Sequence, residues 1–323
     1  METADTEQSP IAPMEAKSVA ALPTEGNWQF EPKWDGFRCL AFRSGNQVRL
    51  FAKSGKPLHR FFPEVADAVR AIPGDDFVLD GELVIRGSDG EVQFDALQMR
   101  IHPAESRIKL LSEELPVQYV VFDVLADGDE VLLDRPLTER RQRLESLAKT
   151  AKLEVSRLVT DPADAEIWLQ TAEGVIAKDL RSTYEPGKRK GMAKVKRERT
   201  IDCVVMGWRP GKEEGTVGSL ILGLYEGDGL RTVGHISGFS AKAKRSLRDL
   251  LAPYETGERG SGDPSRWTGG RDLEWVELRP ELVIEVGYDH ASAGRIRHGT
   301  RFLRFRDDKQ PRECRFEDLD EGG

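Results

Sequence analysis

The sequence predicts an α+β fold with two successive domains. At 323 residues and 38% hydrophobic content, the chain is long enough to bury two ordinary cores. Across residues 28–199, strand patterns joined by hairpin signals alternate with amphipathic helices. Across residues 200–323, about five short strands separated by glycine-bearing turns, with one inserted helix, favour a small closed β-barrel of the OB kind. We place the boundary near Arg199, and we expect the polar residues 1–27 to be loose.

Local signals define the elements of the first domain. Ser44-Gly45-Asn46 predicts a hairpin turn between two apolar runs. Asp161 followed by Pro162 predicts the N-cap and first residue of a helix. The predicted strands cover residues 28–30, 37–42, 48–51, 78–85, 117–125 and 173–178, and the predicted helices cover residues 62–72, 137–147 and 162–172.

The second domain has the pattern of a strand-rich barrel. Its one helix is capped by Ser240 and carries an apolar face of Leu247, Leu250 and Leu251. The predicted strands cover residues 201–208, 219–225, 230–236, 273–278, 282–288 and 301–305.

Charge is distributed unevenly along the chain. A formal net charge of -8 excludes a protein that coats nucleic acid with uniform positive charge. Two basic segments, residues 188–199 and 295–309, nevertheless stand on this acidic background. They predict a local basic surface that contacts the phosphate backbone of a nucleic acid. The alternative interpretation is ordinary solvated surface charge.

The cysteines and the apolar segments indicate in which cellular compartment the protein is expected. Cys39, Cys203 and Cys314 are odd in number and far apart, so neither a disulfide framework nor a thiolate zinc site is indicated. There is no basic-then-apolar leader and no apolar run long enough to span a bilayer. These features predict a cytoplasmic protein without membrane association.

The segment from Glu31 to Arg38 places a single lysine, Lys33, on a loop between two predicted strands. A lysine ammonium has no lone pair, and at its reference pKa of about 10.4 forming the free amine at neutral pH costs about 4 to 5 kcal/mol. Neighbouring cations, a metal ion or desolvation lower that pKa. Lys33 is therefore a candidate nucleophile if the rest of the chain supplies such groups, and an ordinary surface lysine if it does not.

Further charged and aromatic residues lie in or beside predicted strand ends, where several strands can converge on one cleft. Lysines close to Lys33 would disfavour its protonation, and two carboxylates could hold Mg²⁺. Taken singly, Glu82 and Glu173 could also be sheet-edge acids, and Phe122 could be a core residue. The full set is Lys33, Arg38, Glu82, Phe122, Glu173, Lys178, Lys194 and Lys196.

In this order, the segments resemble the motifs of the covalent nucleotidyltransferases, the family of ATP-dependent DNA ligases and mRNA capping enzymes. Residues 33–38 resemble the adenylated-lysine motif. Asp80-Gly81-Glu82 resembles the motif whose acid contacts the ribose, and Phe122-Asp123 the segment whose aromatic ring stacks on the base.

The later motifs are also matched, with two departures. Residues 173–178 resemble the metal-acid motif, Lys194-Val195-Lys196 the lysine pair that holds the α-phosphate, and residues 306–309 the last motif, on the barrel, which orients pyrophosphate. Lys53-Ser54-Gly55 stands where the family usually has Arg with Asn-Gly. Met192 stands where many relatives have a stacking tryptophan.

The resemblance implies a nucleotidyltransferase (adenylation) domain with antiparallel sheets and flanking helices, residues 28–199, followed by a C-terminal OB-fold domain, residues 200–323. It implies that Lys33 attacks ATP, that AMP passes to a 5′-phosphate at a nick, and that a 3′-hydroxyl displaces AMP. The implied catalytic residues are Lys33, Arg38, Lys178, Lys194 and Lys196. The implied ATP contacts are these together with Glu31, Lys53, Glu82, Phe122, Glu173, Arg306 and Lys309. The implied ligands of Mg²⁺ or Mn²⁺ are Glu82 and Glu173.

One residue favours a ligase within the family. Glu31 stands where ligase relatives accept a hydrogen bond from the adenine amino group, and a guanine would present a carbonyl there. An RNA ligase would not be expected to carry the barrel with its last motif, and a non-catalytic OB-barrel protein would be expected to have lost Lys33 or the acids.

The chain therefore resembles the minimal two-domain bacterial ligases of repair and end joining. The resemblance implies a monomer with a mobile connection near Arg199. Its implied partners are nicked double-stranded DNA and a protein that holds DNA ends, such as Ku or a repair polymerase or primase domain.

Overall fold

The computed structural model describes residues 9–88, 90–260 and 274–320. Within them the chain forms two compact units that separate between Arg197 and Glu198. No helix in these ranges combines the length and the hydropathy needed to cross a bilayer.

Over residues 9–88 and 90–197, the first unit contains ten strands and six helices. The strands are β1 (Lys17–Ser18), β2 (Trp28–Pro32), β3 (Phe37–Ser44), β4 (Gln47–Ala52), β5 (Asp76–Val84), β6 (Gln118–Asp127), β7 (Glu130–Val131), β8 (Glu154–Val155), β9 (Gly174–Asp179) and β10 (Met192–Lys196). The helices are α1 (Pro63–Arg70), α2 (Phe94–Met99), α3 (Glu105–Glu114), α4 (Leu137–Thr150), α5 (Pro162–Ala165) and α6 (Trp168–Thr171).

These strands form two mainly antiparallel sheets. The four-stranded sheet has the order β1-β10-β9-β2, and the six-stranded sheet has the order β4-β3-β5-β6-β7 with β8 beside β6. Alternation along β5 turns Leu79 and Leu83 into a core shared with Val65 of α1 and Leu144 of α4. Asp80 and Glu82, at the alternate positions of β5, are thereby directed to the opposite face of the sheet.

The N-terminal segment is part of the fold. The prediction that residues 1–27 are loose is wrong for the described part, residues 9–27. Strand β1 pairs in parallel with β10, and Met14 is 1% exposed, with its N–H donating to the hydroxyl of Tyr184 at 3.0 Å. Backbone pairing and two buried residues, Pro13 and Met14, hold this segment, so its polar composition was a misleading guide.

The predicted helix over residues 162–172 is two short helices, α5 and α6. Asp161 caps the first, accepting the N–H of Ala163 at 2.9 Å, as predicted. Helices α2 and α3 lie in a stretch for which no element was predicted.

Over residues 198–260 and 274–320, the second unit contains nine strands and one α-helix. The strands are β11 (Arg199–Pro210), β12 (Val217–Glu226), β13 (Gly229–Ile236), β14 (Glu255–Gly260), β15 (Trp275–Leu278), β16 (Val283–Tyr288), β17 (His290–Ser292), β18 (Arg295–His298) and β19 (Arg301–Phe305). The helix is α7 (Ala241–Leu251), and single 3₁₀ turns cover Ala252–Tyr254, Pro311–Glu313 and Phe316–Asp318.

The long strand β11 organises the second unit. It pairs with β12 on one edge and with both β16 and β15 on the other, so one strand joins the parts of the sheet. Strand β19 extends the sheet beyond β16, and β17 and β18 form a separate hairpin.

Ser240 caps α7 as predicted, and Leu247 and Leu251 are buried. Leu250 was predicted on the same face but is 41% exposed, because it lies at the edge of the buried face of α7. Leu273, the first residue of one predicted strand, lies outside the described residues.

All three cysteines are buried. Burial raises the pKa of the Cys39 thiol well above its ordinary value and the pKa of the Cys314 thiol to about 11. Their thiols are therefore protonated at neutral pH, which makes them poor nucleophiles.

Candidate active site

A pocket of about 270 Å³ in the first unit is lined by residues of both sheets. Residues 13–16 of the N-terminal segment also line it. Of the site residues predicted from the sequence, the structure places Glu173 and Lys196 outside the lining, and Arg306 and Lys309 in the second unit. Those that line the pocket are Glu31, Lys33, Arg38, Lys53, Glu82, Phe122, Lys178 and Lys194.

Two glycines allow the loop that carries Lys33 to pack closely. The backbone N–H of Lys33 donates to the carbonyl of Gly174 at 2.9 Å. Gly174 has φ +132°, and a Cβ there would collide with the carbonyl oxygen of Val195. A Cβ at Gly36 would likewise collide with the carbonyl oxygen of Leu83. The main chain of Lys33 is thus fixed between the two sheets.

Glu31 and Lys178 form a buried ion pair on neighbouring strands β2 and β9. Their side chains meet at 2.7 Å, and the side-chain amide of Gln29 donates to the same carboxylate at 2.8 Å. The Lys178 ammonium also lies 4.4 Å from the centroid of the Phe122 ring. The resemblance implied that Lys178 is a catalytic residue, and the structure pairs it with Glu31 at the aromatic end of the pocket.

Arg38 is held by a carboxylate that the sequence reasoning did not assign to the site. Its guanidinium donates two hydrogen bonds of 2.6 Å to Asp80, which is fully buried, and the hydroxyl of Tyr184 donates a third of 2.6 Å. Burial disfavours the charge of Arg38, but Asp80 outweighs burial and raises the pKa of Arg38. The guanidinium lies 4.6 Å from the centroid of Phe122. Arg38 and Lys178 therefore both contact this ring.

Glu82 is the pocket carboxylate best suited to a metal ion. Burial raises its pKa to about 7, and the charges of Arg38 and Lys33 act in the opposite direction. The described residues contain no group of three His, Cys, Asp or Glu side chains able to hold a metal ion. Mg²⁺ commonly takes one or two carboxylates and completes its shell with substrate phosphates and water, so Glu82 fits such an ion. Glu173 does not line the pocket, and its carbonyl accepts the N–H of Arg197 at 3.1 Å.

Cations from distant parts of the chain gather around Lys194. Burial lowers the pKa of Lys194, and the charges of Lys196, Lys33, Lys53 and Arg189 lower it further. Lys194 and Lys196 are two positions apart on β10, so their side chains share one face of that strand. Lys33, Lys53, Lys196 and Arg189 thus lie within electrostatic range of Lys194.

Glu15 was also missed, because its segment was expected to be loose. Its carboxylate forms ion pairs of 3.1 Å with both Lys53 and Arg189. The hydrogen bond from Lys53 is the main cause that lowers the pKa of Glu15. Glu15 and Lys53 both line the pocket.

In the second unit, Arg306 and Lys309 share one carboxylate. Arg306 donates to both oxygens of Asp202 at 3.0 and 2.9 Å, and Lys309 donates to one of them at 2.9 Å. Asp308 holds Arg306 from the other side at 2.8 and 2.9 Å. Asp202, on β11, therefore sets the spacing of two cations that come from the loop after β19.

The pocket of the first unit combines two chemical environments. Phe122 and the Glu31–Lys178 pair offer a flat apolar surface beside a hydrogen-bond acceptor and a donor, as a purine base requires. Lys33, Lys53 and Lys194 offer positive charge, as phosphates require. This arrangement can hold a nucleotide with its phosphates close to a lysine amine.

Comparison with known proteins agrees with this geometry. The family model described as "ATP dependent DNA ligase domain" matches residues 13–196, and the one described as "ATP dependent DNA ligase C terminal region" matches residues 213–309. DNA ligase C1 of Mycolicibacterium smegmatis is 46% identical, covering 97% of this chain and 94% of that protein. DNA ligase C of Mycobacterium tuberculosis is 41% identical, covering 96% of this chain and 94% of that protein.

A solved structure agrees as well. The ligase domain from M. tuberculosis LigD is 30% identical, with a TM-score of 0.54, and the match covers 94% of this chain and 97% of that chain. The predicted fold class, an adenylation domain followed by an OB-fold domain, is confirmed, and the capping-enzyme, RNA-ligase and non-catalytic alternatives are not favoured. The chain belongs to the family of ATP-dependent DNA ligases.

Proposed function

We propose that this protein seals nicks in double-stranded DNA that carry a 5′-phosphate and a 3′-hydroxyl, through a covalent Lys33–AMP intermediate. The observation that carries the proposal is the position of Lys33 in one pocket with the Glu31–Lys178 pair and Phe122, and with the cation Lys194. In the first step, the Lys33 amine forms a bond to the α-phosphorus of ATP as the bond to pyrophosphate breaks. In the second, AMP passes to the 5′-phosphate, and in the third the 3′-hydroxyl displaces AMP.

The Glu31–Lys178 pair supports a preference for adenine. Adenine presents an amino donor beside the N1 acceptor, which Glu31 and Lys178 can satisfy as acceptor and donor. Guanine presents a carbonyl and an N–H in the reverse order. Because both side chains are buried, guanine would set its carbonyl oxygen against the Glu31 carboxylate and its N–H against the Lys178 ammonium, at a high free-energy cost. Phe122, held by Arg38, would stack on the base.

The cations around Lys33 support the phosphoryl-transfer step. Lys194 and Lys196 would neutralise the α-phosphate that Lys33 attacks. Mg²⁺ or Mn²⁺, held by Glu82 together with phosphate oxygens, would supply further positive charge to the transferring group. Glu173 stays a proposed second carboxylate for that ion.

Arg306 and Lys309 are proposed to orient the leaving pyrophosphate. This role requires the second unit to approach the pocket for adenylation and to withdraw for DNA sealing, with a pivot near Arg199. A disulfide that locks the two domains, residues 28–199 and 200–323, should preserve only one of the two activities, either adenylation or sealing. Normal rates of both would contradict the proposed movement.

A role in repair or end joining is proposed from the resemblance to small bacterial ligases. The protein would act as a cytoplasmic monomer, aided by Ku or a repair polymerase or primase domain that holds DNA ends. The basic residues 188–199 would contact DNA phosphates, so sealing should weaken steeply with salt. Sealing that changed little between low and physiological salt would contradict this contribution.

The central experiment is covalent labelling with α-³²P ATP and, separately, α-³²P GTP. We expect ATP to label the wild-type chain and a Lys149→Ala control, which changes an exposed lysine of α4 outside the pocket lining. We expect no label in Lys33→Ala. Addition of nicked duplex should move the label to DNA. A label of equal strength in Lys33→Ala would refute the assignment.

A further inference from the structure

Glu15 places a carboxylate in the pocket among the cations proposed to bind phosphates. It pairs with Lys53 and with Arg189, each at 3.1 Å. Arg189 was not among the site residues predicted from the sequence. The electrostatic effects on Lys194 place Lys53 and Arg189 in the same cationic group as Lys33.

Two other cations that line the pocket have different partners. Lys178 is bound to Glu31, and Arg38 is bound to Asp80. Both of those pairs are mostly buried, and their carboxylates are almost inaccessible to water. By contrast, the side chains of Lys53 and Arg189 are 58% and 68% exposed, and that of Glu15 is 26% exposed. Water and ligands therefore reach the Glu15 pairs, so an incoming anion can replace the carboxylate.

The backbone of Glu15 holds its side chain at the pocket. Its N–H donates to the carbonyl of Lys188 at 2.8 Å. The preceding residue, Met14, is anchored at both polar atoms, with its N–H on Tyr184 at 3.0 Å and its carbonyl accepting from Arg38 at 3.3 Å. The carboxylate thus stands at the end of a fixed main chain.

We propose that Glu15 is an internal counter-anion that occupies a phosphate subsite formed by Lys53 and Arg189, and that a phosphate group of the substrate displaces it. The inference rests on the proposed function. A phosphate carries more charge than a carboxylate and has more oxygens to accept from a lysine and an arginine, so it competes well for both. Two sources share this chemistry: the β- and γ-phosphates of ATP, and the 5′-phosphate of a nick.

The proposal predicts whether a substitution of Glu15 strengthens or weakens ligand binding. Glu15→Gln keeps the size of the side chain and removes the competing charge, so the displacing ligand should bind about two- to fivefold more tightly, the upper part of the range for one partly exposed charge interaction. If Glu15 served only to anchor the N-terminal segment to the pocket wall, the same change would loosen the wall, and ligand binding would weaken.

The test is calorimetric binding in a Lys33→Ala background, which prevents covalent reaction. One arm titrates pyrophosphate and ATP, and the other titrates nicked duplexes with a 5′-phosphate or a 5′-hydroxyl. Tighter binding of the first pair in Glu15→Gln assigns the subsite to ATP. Tighter binding of the 5′-phosphate duplex alone assigns it to the nick. Unchanged or weaker binding of all of them overturns the proposal.

Matched control variants distinguish the effect of the Glu15 and Arg189 charges from the effect of removing a charge elsewhere on the surface. Glu130→Gln removes a carboxylate that pairs with Arg135 at 3.0 Å, outside the pocket lining and outside residues 188–199, and it should leave all affinities unchanged. Arg189→Met should weaken binding of the displacing ligand about two- to fivefold, whereas Arg135→Met, at an exposed arginine outside the pocket lining and outside residues 188–199, should not. Equal effects of the two would also overturn the proposal. Since these arms measure binding without Lys33, absence of covalent label in the wild-type chain would refute the proposed function alone.

Discussion

Replacing Asp80 with asparagine tests how the first unit holds the platform for the base. Asp80 is fully buried and receives two hydrogen bonds from Arg38 and one from Tyr184, each 2.6 Å long. Asp80→Asn keeps the shape of the side chain but leaves the Arg38 guanidinium without its counter-charge. Breaking one partner of such a buried pair costs about 3 to 5 kcal/mol.

The expected change is large enough for a thermal melt. For domains of this size, each kcal/mol lowers Tm by about 2 to 4 °C, so Asp80→Asn should lower it by about 6 to 20 °C. Asp127→Asn is the matched control. Asp127 lies on β6, the strand that pairs with β5, and forms a surface ion pair with Arg143, so this change should cost at most about 1 kcal/mol.

A double-mutant cycle isolates the pair itself. Arg38→Met combined with Asp80→Asn removes both charges, so the double variant should be more stable than the sum of the single changes predicts, by about 1 to 3 kcal/mol. Calorimetry of the full chain gives the three values. A single Asp80→Asn variant that melts within about 2 °C of wild type, or a double variant that equals the sum, would refute the reasoning.

Three further predictions concern other groups of the molecule. Glu31→Gln removes the negative acceptor from the buried pair, so the ratio of adenylation rates with ATP and GTP should fall at least about tenfold, measured by single-turnover labelling. Because burial raises the pKa of Glu82 to about 7, this carboxyl favours the fold below pH 4.5, and that contribution is lost as the pH rises to 7. The Tm of Glu82→Gln should therefore rise relative to wild type between pH 5 and 8, and parallel Tm curves would contradict the shift. Asp202→Asn releases Lys309 and one side of Arg306, so adenylation should slow about tenfold while sealing of pre-adenylated nicks is unchanged.

Much of the fold follows from alternation along the strands. In β3, β5 and β6 the apolar residues of one face are close in sequence, so the pattern is visible without the structure. Helix α3 was missed because its buried residues are just Ile108 and Leu111, while Leu110 is 42% exposed. The N-terminal segment was missed because it is held by main-chain pairing with β10, which leaves no side-chain pattern.

The site residues that lie in a recognisable sequence motif were predictable. The residues that hold a motif residue by a hydrogen bond or an ion pair were not. Lys33, Glu82 and Phe122 lie in segments with a local signature, and the structure brings them into one pocket. Tyr184 meets Asp80 across 104 positions of sequence, and Asp202 meets Lys309 across 107. Such pairs depend on how distant strands are placed, so a single sequence gives no local sign of them.

The burial of Cys39, Cys203 and Cys314 has a practical consequence. Because their thiols are covered and protonated at neutral pH, a maleimide dye should react with an added surface cysteine and spare the native ones. One such cysteine in each unit would accept a donor and an acceptor fluorophore on an otherwise unaltered chain. Energy transfer between the dyes would then report, molecule by molecule, whether the distance between the units changes as nucleotide and DNA are added.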